Sequence, residues 1–136
     1  MTWNRTFVAF VLVFVLTATT NFLIHAILLQ GVYQQSAGLM RSPQDGAAHA
    51  PFLMVAFFSF SLAFVWLYPP SRAGASWMMQ GLRYGVAVWM IVTVSRYFIY
   101  YAIQPWPFTT VLLQLASELV ATLLLGEVLA FVARNQ

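Results

Sequence analysis

The chain has 136 residues, of which 62% are hydrophobic and 7% are charged. Because soluble domains carry about a quarter charged residues, this composition indicates an integral membrane protein. Cysteine is absent, which excludes disulfide exchange, thiolate metal sites and a catalytic cysteine. The net charge of +3 comes from six arginines against three acids, without a basic cluster that could follow a phosphate backbone. Nucleic acid is therefore not an expected partner.

Four apolar segments follow one another along the chain, each close to the roughly 20 residues that cross a bilayer as a helix. They cover residues 7–29, 52–68, 80–103 and 108–133. Each is a continuous hydrophobic run without the alternation of barrel strands, so helices are the expected structure. The sequence predicts an all-α fold, a transmembrane four-helix bundle that forms a single membrane domain over residues 1–136.

The connections between the segments agree with this prediction. A polar outer loop over residues 30–50 contains glycine and proline, and its stretch 32–40 is a candidate for a short interfacial helix. Pro69 and Pro70 end the second segment, because proline cannot continue the helical hydrogen bonds. The turn 104–107 is short enough to place the third and fourth segments antiparallel. The first segment is too long for a usual signal peptide, so we expect it to be retained.

The arginines predict the orientation in the membrane. With four spans, both termini lie on the same side, and most arginines fall on that side, whereas the loop 30–50 carries only Arg41 beside Asp45. The arginines on the side of the termini are Arg5, Arg72, Arg83 and Arg134. The positive-inside rule therefore places the N- and C-termini in the cytoplasm.

Arg96 and Glu118 are ionisable residues inside apolar segments, where a charge is costly unless it is paired or hydrated. Counted from the turn 104–107 at 1.5 Å per residue, Arg96 lies roughly 12 Å deep and Glu118 roughly 15 Å deep. In an antiparallel hairpin these depths coincide, and Asn21 of the first segment reaches the same level. We therefore expect one internal polar cluster in the outer half of the bundle.

Further polar residues are four positions from these three, a spacing that places two residues on one helix face. The predicted cluster consists of Asn21, His25, Arg96, Tyr100, Gln114 and Glu118. The residues that could add hydroxyl groups are Thr93, Ser95, Ser117 and Thr122. As a binding site, Arg96 would hold an anionic or quinone-like group, and Glu118 or His25 would handle protons. As a structural feature, Arg96 and Glu118 would neutralise each other. The sequence leaves both interpretations open.

His25 is a poor metal candidate, because metal sites need several convergent ligands and the other histidine, His49, lies in the loop. We expect no metal and no cofactor, with His25 as axial ligand to a haem or chlorin as the alternative. Glu127 is expected near the cytoplasmic interface, paired with Arg83 or Arg5 or acting in a proton relay.

Small residues four apart allow two helix backbones to approach closely. They occur as Gly81-x-x-x-Gly85, Ser117-x-x-x-Ala121 and Gly126-x-x-x-Ala130. They would pack the hairpin of the third and fourth segments within one chain or, alternatively, form a seam between copies.

A family resemblance rests on the residues that enter and leave the third segment, Gln-Gly-Leu-Arg-Tyr-Gly from residue 80 and Arg-Tyr-Phe-Ile-Tyr-Tyr-Ala-Ile-Gln-Pro-Trp-Pro from residue 96. It extends to His25 through Tyr33 and to the Tyr-Pro that ends the second segment. In these parts the chain resembles a family of uncharacterised bacterial four-helix integral membrane proteins. That family has no assigned activity, so the resemblance implies only a multi-pass protein of the bacterial inner membrane.

Three functions remain open from the sequence. The first is a non-enzymatic accessory or structural subunit that packs against a larger membrane complex or self-associates, with membrane lipids and a protein partner around it. The second is a small oligomeric transporter or channel that uses the polar cluster. The third is a membrane enzyme acting on a lipid or quinone, which lacks a nucleophile with a recognisable base. We favour the first.

Overall fold

The computed structural model describes residues 1–69 and 76–134. Their long elements are helices, namely α1 (Trp3–Leu28), α2 (Gln30–Gln34), α3 (Pro43–Trp66), α4 (Trp77–Ile103) and α5 (Phe108–Ala133). All but the short α2 are long and apolar enough to cross a membrane. For the described residues, the prediction of an all-α protein with four helices that are long and apolar enough to span a membrane is therefore confirmed, and the sidedness of the termini stays a prediction.

The start of α3 differs from the predicted boundary at residue 52. The helix begins at Pro43, whose ring suits the first helical position, and the Ser42 side chain accepts a hydrogen bond from the backbone N–H of Asp45 at 3.2 Å. Pro51 lies inside the helix. Hydropathy missed these first turns because they are polar, and they are held by capping instead.

The loop before α3 also differs from its prediction. Instead of one helix over residues 32–40, α2 spans Gln30–Gln34 and a single 3-10 turn spans Ala37–Leu39. Pro70 and Arg72, which entered the predictions for the second segment and for the orientation, lie outside the described residues.

The four long helices pack in the spatial order α3, α1, α5, α4, since α1 contacts both α3 and α5, and α5 contacts α4 along its length. The end that carries α2 and the turn 104–107 is called the loop end, and the opposite end the terminal end. Towards the terminal end, Tyr84 connects α4 to α3, because its hydroxyl donates to the carbonyl of Phe64 at 2.6 Å and its ring lies 4.8 Å from the Phe64 ring.

Close packing of α4 on α5 depends on glycine. A Cβ atom added at Gly81 would lie 2.8 Å from the carbonyl oxygen of Gly126, and one at Gly85 would lie 2.6 Å from that of Thr122. A Cβ atom at Gly126 would collide with the carbonyl oxygen of Gly81. The glycine motifs of both helices are thus used within the chain, as the intrachain interpretation expected.

Gly126→Ala is expected to destabilise the protein by about 1 to 3 kcal/mol, because α4 and α5 must separate to admit the methyl group. Gly46→Ala is the matched control, since nothing lies within 4 Å of the added Cβ atom in α3. Alanine there should be neutral or stabilising by up to about 1 kcal/mol. Denaturant or thermal unfolding in detergent measures both, and equal losses of stability would contradict the close approach of α4 and α5.

Candidate functional site

Two of the long helices change their winding at the level of the predicted polar cluster. The segment Phe22–Leu28 of α1 and the segment Trp89–Val94 of α4 are π-helical, with His25 in the first and Thr93 in the second. A π-helical turn holds more residues than an α-helical turn and is often found at functional sites. Both segments lie beside the same stretch of α5.

The π-helical turn explains how α4 keeps one face against α5. The residues on that face recur every four positions, whereas an α-helix has 3.6 residues per turn and would rotate such a stripe away. They are Gly81, Gly85, Trp89, Thr93 and Tyr97. The wider turn in the middle offsets the drift, so the stripe still faces α5 at Thr93 and Tyr97.

Glu118 of α5 is the centre of the cluster, with a side chain that is 13% exposed. Its Oε2 accepts from the Thr93 hydroxyl at 2.9 Å and from Arg96 Nη2 at 3.1 Å. Its Oε1 accepts from the Tyr97 hydroxyl, from His25 Nε2 at 3.2 Å and from Arg96 Nη2 at 3.2 Å. Donors from α1 and α4 therefore converge on one carboxylate of α5.

A second layer lies on the loop-end side of Glu118. The hydroxyl of Tyr33 in α2 accepts from Gln114 Nε2 at 3.0 Å and lies 2.6 Å from His25 Nδ1. Burial raises the pKa of the Tyr33 hydroxyl above its ordinary value, so it keeps its proton at neutral pH. If that proton is donated to Nδ1, the proton of the imidazole is on Nε2 and points at Glu118. In the alternative arrangement, Nδ1 donates to the Tyr33 hydroxyl, and Nε2 still donates to the Glu118 carboxylate.

A cavity of about 140 Å³ adjoins the cluster between α3 and α4, with α1 and α5 at its base. Its polar lining includes Asn21, His25, Arg96 and Glu118. The Arg96 side chain is 43% exposed, so the cation of the pair lies at the edge of this cavity while the carboxylate is enclosed.

The predicted cluster is largely assembled, with one correction. His25, Arg96, Gln114 and Glu118 belong to the hydrogen-bond network, and Asn21 lines the cavity. Tyr100 does not join them, because it is 42% exposed on the outer face of α4. The prediction for Tyr100 was wrong because Arg96 lies beside the stripe that faces α5 and reaches sideways to Glu118. The residue four positions after Arg96, Tyr100, therefore lies on a side of α4 that faces away from α5.

The hydroxyl groups that were expected to join divide into two kinds. Thr93 donates to Glu118, whereas Ser95, Ser117 and Thr122 donate to backbone carbonyls of their own helices, such as Leu113 for Ser117. Two tyrosines of the network were missed by the sequence reasoning. Tyr97 was detectable as the fifth member of the four-residue stripe in α4, but Tyr33 lies in the loop and gave no signal.

The arrangement constrains cofactor and metal binding. Both ring nitrogens of His25 have protein partners, so an axial bond to a haem or chlorin would require one hydrogen bond to be broken. Within residues 1–69 and 76–134, no three His, Cys, Asp or Glu residues are grouped as metal ligands.

Glu127 lies on α5 near the terminal end, apart from the cluster. Among the described residues it forms no ion pair with Arg83 or Arg5, contrary to that expectation, and its Oε1 is buried without a hydrogen-bond partner. Glu127 lies at the close contact of α4 with α5, since a Cβ atom added at Gly81 would be 3.0 Å from the Glu127 Cα.

Comparison with known proteins adds no assignment. The sequence matches no protein-family model, and neither the curated proteins nor the solved structures gave a match. The functional argument therefore depends on the geometry of the site, and the resemblance to a bacterial family stays a prediction.

Arg96 and Glu118 are expected to show strong energetic coupling in a double-mutant cycle with Arg96→Gln and Glu118→Gln. Removing one partner leaves the other charge unpaired in an apolar setting, so the coupling should exceed about 1 kcal/mol. The exposed pair Arg41 and Asp45, 2.7 Å apart, is the control and should give less than about 0.5 kcal/mol. Unfolding in detergent measures both cycles, and equal coupling energies would contradict the special role of Glu118.

Tyr97→Phe is expected to destabilise the protein by about 1.5 to 3 kcal/mol, because it removes a hydrogen bond to a charged group. Tyr100→Phe should change the stability by less than about 0.5 kcal/mol, since its side chain is 42% exposed. The two variants differ only in position, and the same unfolding assay compares them. A larger loss at position 100 would restore the original prediction for Tyr100.

Proposed function

We propose that this protein is a non-enzymatic accessory or structural subunit that packs against a larger membrane complex. The observation that carries the proposal is the environment of Glu118, whose two carboxylate oxygens accept five hydrogen bonds from donors of the same chain. A carboxylate that is satisfied in this way holds helices together. It has no free lone pair with which to bind an ion or to take a proton from a substrate.

The distribution of the hydroxyl groups also favours a structural role. An acyl- or phosphoryl-transfer site of the usual kind needs a nucleophile that is hydrogen-bonded to a base. The hydroxyl that contacts His25 is the phenol of Tyr33, and Thr93 is hydrogen-bonded to Glu118, which Arg96 already neutralises. Among the described residues, no serine or threonine hydroxyl is hydrogen-bonded to His25.

The partner is proposed to be a different membrane protein rather than a second copy joined through the glycine motifs. Gly81, Gly85 and Gly126 are already covered by the packing of α4 on α5, which leaves them unavailable as a seam between copies. The setting that we propose is the bacterial inner membrane with both termini in the cytoplasm, supported by the arginine distribution and by the resemblance described above.

Gentle extraction tests this function. The tagged protein, expressed from its own locus and solubilised in a mild detergent, is expected to co-purify with a larger membrane protein at fixed stoichiometry. The double variant Arg96→Gln/Glu118→Gln should still co-purify, because a neutral hydrogen-bonded pair can replace a buried ion pair at little cost to the fold.

Two results would overturn the proposal. One is a protein that elutes alone as a small homo-oligomer from native membranes. The other is ion flux into proteoliposomes that Glu118→Gln abolishes while Asp45→Asn does not, since that would make the intramembrane carboxylate part of a transport path, as in the transporter or channel alternative.

A further inference from the structure

The cavity between α3 and α4 opens sideways from the bundle. Its rim contains Ala56 on α3 and Val92 on α4, and both side chains are exposed. Towards the terminal end, the hydrogen bond from Tyr84 to Phe64 joins the same two helices and closes the gap between them. In a membrane, the opening therefore faces acyl chains, and a molecule that enters here comes from the lipid phase.

Two polar side chains in this cavity have N–H donors that no described residue accepts. Within the described residues, Arg96 uses only its Nη2 for hydrogen bonds to Glu118, which leaves Nη1 and Nε without acceptors. The side-chain amide of Asn21 makes no hydrogen bond to any described residue, although Asn21 lines the same cavity. In a medium without water, each unmade hydrogen bond of such donors is costly. A bound molecule with an oxygen acceptor would satisfy the donors of both side chains.

The charge balance determines what kind of acceptor fits. Glu118 compensates the charge of Arg96, so the ion pair beside the cavity has no net charge. An anionic head group would add an unbalanced charge to this pair among apolar helices. A neutral carbonyl oxygen accepts the same N–H groups without that cost.

The size and the apolar lining of the cavity indicate what the rest of the ligand is like. A volume of about 140 Å³ accommodates a head group of about one six-membered ring, and Phe57 and Phe60 of α3 supply aromatic surface beside it. An apolar tail would leave through the gap between Ala56 and Val92. We propose that this cavity binds an uncharged amphiphile with a carbonyl head group, whose oxygens accept hydrogen bonds from Arg96 and Asn21.

Two classes of membrane molecule carry this chemistry, a quinone and an uncharged glycerolipid that presents its ester carbonyls. The site goes beyond the proposed subunit role and does not depend on it, because the cavity belongs to a single chain.

The test uses the full chain in lipid nanodiscs with a short-tailed benzoquinone as the probe, and binding is measured by depletion of the quinone from solution. Wild-type protein is expected to bind about one equivalent saturably. Ala56→Phe, which fills the rim, should abolish binding, and its control Val55→Phe should not, because Val55 is 62% exposed and outside the cavity lining. Asn21→Ala should weaken binding by about two- to tenfold, the effect of one lost hydrogen bond.

Mass spectrometry of lipids that co-purify with the protein distinguishes the two sources. If the quinone does not bind but a glycerolipid co-purifies with wild type and Val55→Phe and is lost from Ala56→Phe, the site is the proposed one and its ligand is the ester. The proposal is overturned if neither molecule binds. It is also overturned if Ala56→Phe and Val55→Phe behave alike while both remain folded.

Discussion

The hydrogen bonds to the Glu118 carboxylate are the interaction on which the rest of this structure depends. A lone carboxylate inside an apolar bundle would cost several kcal/mol, roughly 3 to 5 if its partner were removed. Here His25 of α1 and three residues of α4 donate to it. Because the donors come from different helices, the carboxylate is satisfied only when α1, α4 and α5 have their native register. The charge therefore specifies the arrangement of three helices that otherwise present mainly apolar surface to one another.

The backbone of the two donor helices is adapted to this requirement. The π-helical segments Phe22–Leu28 and Trp89–Val94 turn His25 and Thr93 towards α5. In α4, the glycines at 81 and 85 allow contact with α5 nearer the terminal end, and the wider turn keeps the same stripe on α5 beside Glu118. Close packing and polar bonding thus use one continuous face of α4.

The sequence was sufficient to predict four helices long and apolar enough to span a membrane and the meeting of Arg96 with Glu118, because hydrophobic runs and a short turn determine them. It was insufficient for the hydrogen-bond partners of Glu118 whose position depends on the winding of α4 or on tertiary contacts. Tyr100 was selected because it lies four positions after Arg96, but Arg96 lies beside the stripe that faces α5 and reaches Glu118 sideways. The π-helical turn before residue 95 keeps Tyr97 on that stripe, where its hydroxyl donates to Glu118. Tyr33 is held by Gln114 and His25 from distant parts of the chain, and such tertiary contacts have no local signal. Capping likewise determined the start of α3 at Pro43.

The two members of the central ion pair have different surroundings, and this difference separates structure from binding. Glu118 is 13% exposed and has all its acceptor positions engaged, whereas Arg96 is 43% exposed and uses one of its three nitrogens. A guanidinium held through a single nitrogen keeps its charge compensation, and the remaining N–H groups of Arg96 have no acceptor among the described residues. The carboxylate can therefore fix the fold while the arginine presents donors to the cavity between α3 and α4. The ligand that we propose for the cavity would therefore leave intact the ion pair that holds the helices together.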